Sequence, residues 1–151
     1  MNYLKQFWTT FKEYFHKASP VKLPNKVNPS EPIGRYLFQS NRFSTEQSRV
    51  KYTAFLPPPS LRLSVFRLTG LSENAIWKIG GRIIRESKSF KKFYGVAEIV
   101  ASTAQNLYLC IKPDKTPPRH ANIVGWPEEK SERLLIAKEI AASAKLKLRS
   151  Q

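Results

Sequence analysis

The chain has 151 residues, 41% of them apolar, with 26 Lys and Arg against 11 Asp and Glu, a formal charge of +15. The length suits one domain plus an appendage, the apolar share supports a packed core, and a single cysteine excludes an intrachain disulfide framework or a cysteine-based zinc cage. A charge this large calls for an anionic partner: nucleic acid first, then an acidic protein, then an anionic membrane surface.

In chain order, Leu4, Phe7, Trp8, Phe11 and Phe15 recur at intervals of three and four, which predicts an amphipathic aromatic helix over residues 1–18. Such a stripe is costly to leave in water, so it is expected to dock on a protein partner or on the chain itself. A membrane interface is the lesser expectation, because Lys5, Lys12 and Lys17 are few and Glu13 opposes it. Ser19-Pro20 ends the helix. Residues 19–32 hold four prolines among Lys, Asn and Ser, the composition of an extended linker. A body over residues 33–148 follows.

The body opens with Arg35-Tyr36-Leu37-Phe38 and a polar loop over 40–48. A strand is predicted over Val50 to Leu56, stopped by Pro57-Pro58-Pro59. A second runs from Leu61 to Thr69 with Leu61, Leu63 and Val65 on one face. Ser72 is a good N-cap for a helix from Glu73 to about Glu86, with Ile76, Ile79, Gly80, Ile83 and Ile84 inward; Gly80-Gly81 predicts a close packing contact or a kink. Phe93 to Ser102 and Leu107 to Lys112 read as strands joined by a hairpin at Ala104-Gln105-Asn106, with Cys110 a small buried strand residue. Asn122 to Val124 adds a short strand. Pro127 opens a last helix running to about Leu146 through Leu134, Leu135, Ala137 and Ala141. The expected fold is a compact α+β domain with a mainly antiparallel sheet, β-β-α-β-β-α, preceded by the separate N-terminal helix.

The strings Ala54-Phe55-Leu56-Pro57, Leu63-Ser64-Val65-Phe66-Arg67 and Pro118-Arg119-His120-Ala121-Asn122-Ile123-Val124-Gly125-Trp126-Pro127 resemble those of an uncharacterised family of small bacterial proteins. The similarity covers the body and not the N-terminal helix. It implies a bacterial or phage setting and no particular activity.

Three groups of residues could carry function; the slightest is a formal match to a metal-dependent nuclease, Asp114 followed by Glu128, Glu129 and Lys130, whose second element falls at a helix N-terminus where glutamates are expected anyway. Lys78, Arg82 and Arg85 share one helical face, and Lys88, Lys91 and Lys92 follow with Phe90 and Phe93 interleaved; Arg35 is a further cation. Cations neutralise phosphates and aromatic faces stack on unpaired bases, so this group predicts a surface for RNA or DNA. The second group is His120 with Arg119 and Arg67: a proton shuttle beside guanidinium groups that could hold an oxyanion. Arg67 falls in register with the buried face of its strand, so a structural ion pair with Glu98 or Glu46 is the competing role. No phosphate-loop, dinucleotide or nucleophile-elbow motif is present, and no cofactor or metal is expected. No stretch has the apolar length of a membrane span and no signal peptide is evident, so the cytoplasm is the expected compartment. The primary expectation is a small basic adaptor that binds nucleic acid through its body and recruits a protein through its N-terminal helix. The alternatives are a metal-independent enzyme on a phosphate-containing substrate, with His120 as acid and base, and a peripheral membrane or protein-interaction factor.

Overall fold

The computed structural model describes residues 22–150. The stripe of Leu4, Phe7, Trp8, Phe11 and Phe15 lies outside them. The fold is α+β with a mainly antiparallel sheet. Its strands are β1 (Pro32–Leu37), β2 (Phe43–Ser44), β3 (Arg49–Val50), β4 (Leu63–Arg67), β5 (Gly95–Val100), β6 (Cys110–Pro113), β7 (His120–Val124) and β8 (Lys145–Leu148). Three α-helices are interspersed: α1 (Glu73–Glu86), α2 (Ala101–Gln105) and α3 (Lys130–Ser143). Six strands form one sheet in the order β6-β7-β4-β1-β5-β8, each neighbouring pair antiparallel. The short β2 and β3 make a separate ladder.

Alternation along the strands divides the apolar residues between the two sheet faces. On one face Ile33, Leu63, Val65, Ala97 and Ile123 pack against Phe55 and against Ala137 and Ile140 of α3. On the other, Tyr36, Phe66, Leu68 and Val96 pack with Phe93 against Ile76 and Ile79 of α1. Among the described residues, no member of β6 or β7 joins that second core. Helix α1 therefore leaves the β6-β7 edge of its face open to solvent, where Cys110 and Lys112 are exposed and Ser64, His120 and Val124 half-buried.

Helix α1 has the predicted limits. The Ser72 hydroxyl accepts the Ala75 N–H at 3.1 Å, capping the first turn. Gly80 supplies the predicted close contact, since a Cβ there would lie 2.2 Å from Cζ of Phe93. Elsewhere the observed elements differ from the sequence expectation, for identifiable reasons. The strand predicted over Val50 to Leu56 is instead β3 followed by a 3₁₀ turn at Tyr52–Ala54, because consecutive Ala54 and Phe55 are both buried and no strand can bury neighbours on one face. β5 runs into α2, not into a hairpin, and its sheet neighbours are β1 and β8. Cys110 is exposed, because register sends Ile111 inward and turns its neighbour out. Helix α3 begins three residues after Pro127 and stops at Ser143; Leu135 is exposed on it, and Ile140 fills the core beside Ala137 and Ala141. The chain then returns as β8, which pairs with β5 and bonds Lys147 to Glu98 at 2.6 Å.

Residues 22–31, expected as part of an extended linker, pack on the body. Val27 is buried, the carbonyls of Pro29 and Glu31 accept the N–H groups of Ser102 and Ala101, and Gln105 donates to the Val27 carbonyl. The anchor is Glu31, whose carboxylate takes two bonds from Arg67, Nε to Oε1 and Nη2 to Oε2, each 2.8 Å. Among the described residues, no helix is long and apolar enough to cross a membrane.

Candidate functional site

The site begins where the sheet comes apart. β1 and β4 pair at Ile33 with Arg67 and Gly34 with Phe66 and nowhere further. Beyond Gly34 the strands diverge, and the guanidinium of Arg35 enters the gap. Its Nε donates to the Ala54 carbonyl at 2.9 Å and its Nη1 to the Ser64 carbonyl at 3.1 Å, so it satisfies an acceptor that a β1 partner would otherwise have taken. Burial pulls the Arg35 pKa down to about 10, with the nearby Arg42 acting in the same direction, and the group stays cationic at neutral pH. Arg42 leans in from the polar loop, donating to Gln39 at 2.8 Å and to the Thr53 carbonyl, and burial lowers its pKa too.

Two recesses meet at this point. A cleft of about 410 Å³ is lined by Arg35, Arg42, Arg62, Asn41, Thr53, Ser64 and the Leu56–Pro58 turn. A smaller cavity of about 180 Å³ continues past Tyr36, Phe38, Phe66, Ile83 and Phe90. Neither is lined by a carboxylate among the described residues. Three guanidinium groups thus share one concavity with no acid to neutralise them, which is the electrostatic form of an anion seat.

On the open β6-β7 edge of the face that α1 covers, the Ser64 hydroxyl and His120 Nε2 are 2.6 Å apart, and His120 Nδ1 lies 3.2 Å from Asp114 Oδ2. Register accounts for the pairing: Ser64 opposes Asn122 and Phe66 opposes His120, so Ser64 and His120 are diagonal neighbours on one face. The Phe66 and His120 rings meet edge to face, with centroids 5.4 Å apart. Asp114 comes from the other end of the β6–β7 connection, held by its N–H to the His120 carbonyl at 2.9 Å. Burial lowers the His120 pKa; Asp114 pulls it upward and Arg62 pushes it further down.

The remaining candidates separate. Arg67 is buried and paired with Glu31, not with Glu98 or Glu46, and is no clamp for a ligand at His120. Arg119 is also buried, with a left-handed backbone (φ 70°), and its Nη1 donates to the carbonyls of Arg67 and Thr69 at 3.0 and 2.6 Å. It ties the start of β7 to the end of β4. Lys78 and Arg85 are exposed on α1 with Arg82 half-buried between them, and Lys88, Lys91 and Lys92 are exposed in the following loop. Phe90 stacks on Phe38 with centroids 5.2 Å apart at the mouth of the smaller cavity. Phe93 belongs to the core. Of the residues singled out in the sequence, then, Arg35 and His120 are joined through Ser64, whose carbonyl accepts from Arg35 and whose hydroxyl meets His120. Ser64, Arg42 and Arg62 were not singled out. Ser64 had only the signal of a polar residue alternating with Leu63 and Val65, and Asp114, read in the sequence with Glu128, Glu129 and Lys130, meets His120 instead. Among the described residues, no group of His, Cys, Asp and Glu is arranged to hold a metal. Compared with known proteins, the chain matches no family model, no curated protein and no solved structure.

Proposed function

We propose that the protein is a nucleic-acid-binding adaptor whose body seats backbone phosphates in the Arg35–Arg42–Arg62 cleft. The observation that carries this reading is the convergence of three guanidinium groups, two of them partly desolvated, on a recess without a carboxylate. Guanidinium forks suit phosphate oxygens, and an incoming anion relieves the repulsion between Arg35 and Arg42. The stacked Phe38–Phe90 pair supplies an aromatic surface for an unpaired base at the next step along the strand. Lys78, Arg82, Arg85, Lys88, Lys91 and Lys92 extend the positive field beyond it. The N-terminal stripe serves as the recruiting element for a protein partner.

The test is fluorescence anisotropy with labelled single-stranded and duplex oligonucleotides over a salt series. Affinity should fall linearly on a log–log plot, with a slope of about −0.7 per phosphate contacted on a single strand. Arg42→Ala with Arg62→Ala should flatten the slope by about 1.4. An unchanged slope in a folded double variant removes the cleft from the interface. Loss of a copurifying protein on replacing Phe7, Trp8 and Phe11 with Ser tests the recruiting role.

A further inference from the structure

The hydrogen-bond chain beside the cleft has a direction. Asp114 as a carboxylate only accepts, so the Nδ1 facing it carries the imidazole proton. Nε2 is then the acceptor, and the Ser64 hydroxyl at 2.6 Å is its donor. This is the tautomer in which an imidazole withdraws a proton from a serine, with the third group fixing ring orientation. The ring is further held by Phe66 and only 13% exposed, and burial keeps it neutral near pH 7. Ser64 is also the residue whose carbonyl holds Arg35, and it lines both recesses. The hydroxyl with a base attached and the anion seat are therefore built on one residue.

We infer that Ser64 is a nucleophile, with His120 as its general base and Asp114 as the group that positions His120, acting on a phosphodiester held in the cleft. This rests on the cleft being a phosphate seat. In the first step Ser64 Oγ bonds to phosphorus and its proton passes to His120 Nε2. The bond from phosphorus to the leaving ester oxygen breaks, and that oxygen takes the proton from His120. In the second step water attacks phosphorus, gives a proton to His120, and Ser64 Oγ leaves with that proton, so no oxidant or reductant is involved. Arg35 and Arg62, which line the cleft together with Ser64, are the cations for the charge that builds on the phosphoryl oxygens.

The full chain is treated with a fluorophosphonate probe, which transfers phosphorus to an activated serine with loss of fluoride, and the adduct is located by mass spectrometry. The same protein is incubated with end-labelled single-stranded and duplex oligonucleotides. Expected are an adduct at Ser64, slowed by about a hundredfold or more in His120→Ala, and oligonucleotide cleavage that disappears in Ser64→Ala. The labelling rate should rise with pH around a midpoint below 6.5, because His120 must be neutral. Asp114→Asn should move that midpoint further down, since the carboxylate raises the imidazole pKa. Labelling of Ser64 no faster than of exposed Ser60, in protein that still binds oligonucleotide, overturns the nucleophile and leaves the binding function standing. Labelling at Ser64 with no oligonucleotide affinity overturns the phosphodiester substrate and the binding function together.

Discussion

Replacing Arg67 with Met should destabilise the protein more than any other single polar substitution in the body. The side chains of Arg67 and Glu31 are 4% and 5% exposed, and the guanidinium makes three bonds of 2.8 Å, two to the carboxylate and one to the Pro24 carbonyl. Methionine fills similar volume but leaves the carboxylate with the Asn28 N–H at 2.7 Å as its backbone donor and no cation. Breaking a buried pair from one side costs about 3–5 kcal/mol, a large share of the roughly 5–15 kcal/mol that holds a domain together. At about 3–5 °C per kcal/mol for a domain of this size, the melting temperature should fall by about 9–25 °C. Urea and thermal melts followed by circular dichroism measure both quantities. The acid limb supplies a second signature. In the native protein burial alone would raise the Glu31 pKa, but the bonds from Arg67 and Asn28 and the Arg67 charge outweigh it and hold it below 4.5. The unfolded chain then binds the proton first, so this contribution is complete above pH 4.5 and is lost as pH falls through the folded pKa. Without Arg67 the sign reverses: burial dominates, the folded state binds the proton first, and the deficit of the variant should shrink on acidification. Glu31→Leu added to Arg67→Met should restore most of the lost stability. A loss under about 1 kcal/mol, or a double variant as unstable as the single, would refute the argument.

The same anchor bears on truncation: a chain beginning at residue 33 lacks Glu31 and should melt well below one beginning at residue 22, by differential scanning calorimetry. Gly80→Ala forces a Cβ into the Phe93 ring and should cost about 1–3 kcal/mol, whereas Gly81→Ala, with nothing within 4 Å, should gain about 0.5–1 kcal/mol in urea melts; equal effects would contradict the packing. The His120 imidazole, followed by NMR with His16 replaced by Gln, should titrate below 6.5, moving up in Arg62→Ala and down in Asp114→Asn. Because its folded pKa is depressed, its contribution to stability is present above pH 6.5 and lost as pH falls through the folded value, so melting temperature should decline across that window and do so less in His120→Gln.

Helix α1 was legible because its signals are local: Ser72 at the cap, isoleucines at helical spacing and cations opposite. β8 was not, because the alanine-rich period of α3 runs straight into Lys145-Leu146-Lys147-Leu148, and only the partner β5 with Glu98 makes a strand of it. The same distinction runs through the site. His120 and Arg35 could be singled out by residue type. The hydroxyl that meets His120 lies 56 positions away in sequence, and the carboxylate that joins them is one exposed acid in a loop. Sheet register makes that triad, and register across β4 and β7 is a long-range property. Arg67 misled for the converse reason: its inward phase on β4 was readable, but its partner lay in a proline-rich segment whose composition does not announce that it packs.

The opening between β1 and β4 makes Arg35 both a charge and a rung of the sheet. Removing it takes a cation from the cleft and also strands the carbonyls of Ala54 and Ser64; lysine would keep the charge without the two-pronged reach. The charge of the cleft and the integrity of the central strands are then coupled in one side chain. On the proposed function, an anion bound to Arg35 would hold its guanidinium in the gap, and amide hydrogen exchange in β1 and β4 would gauge whether the cleft is filled.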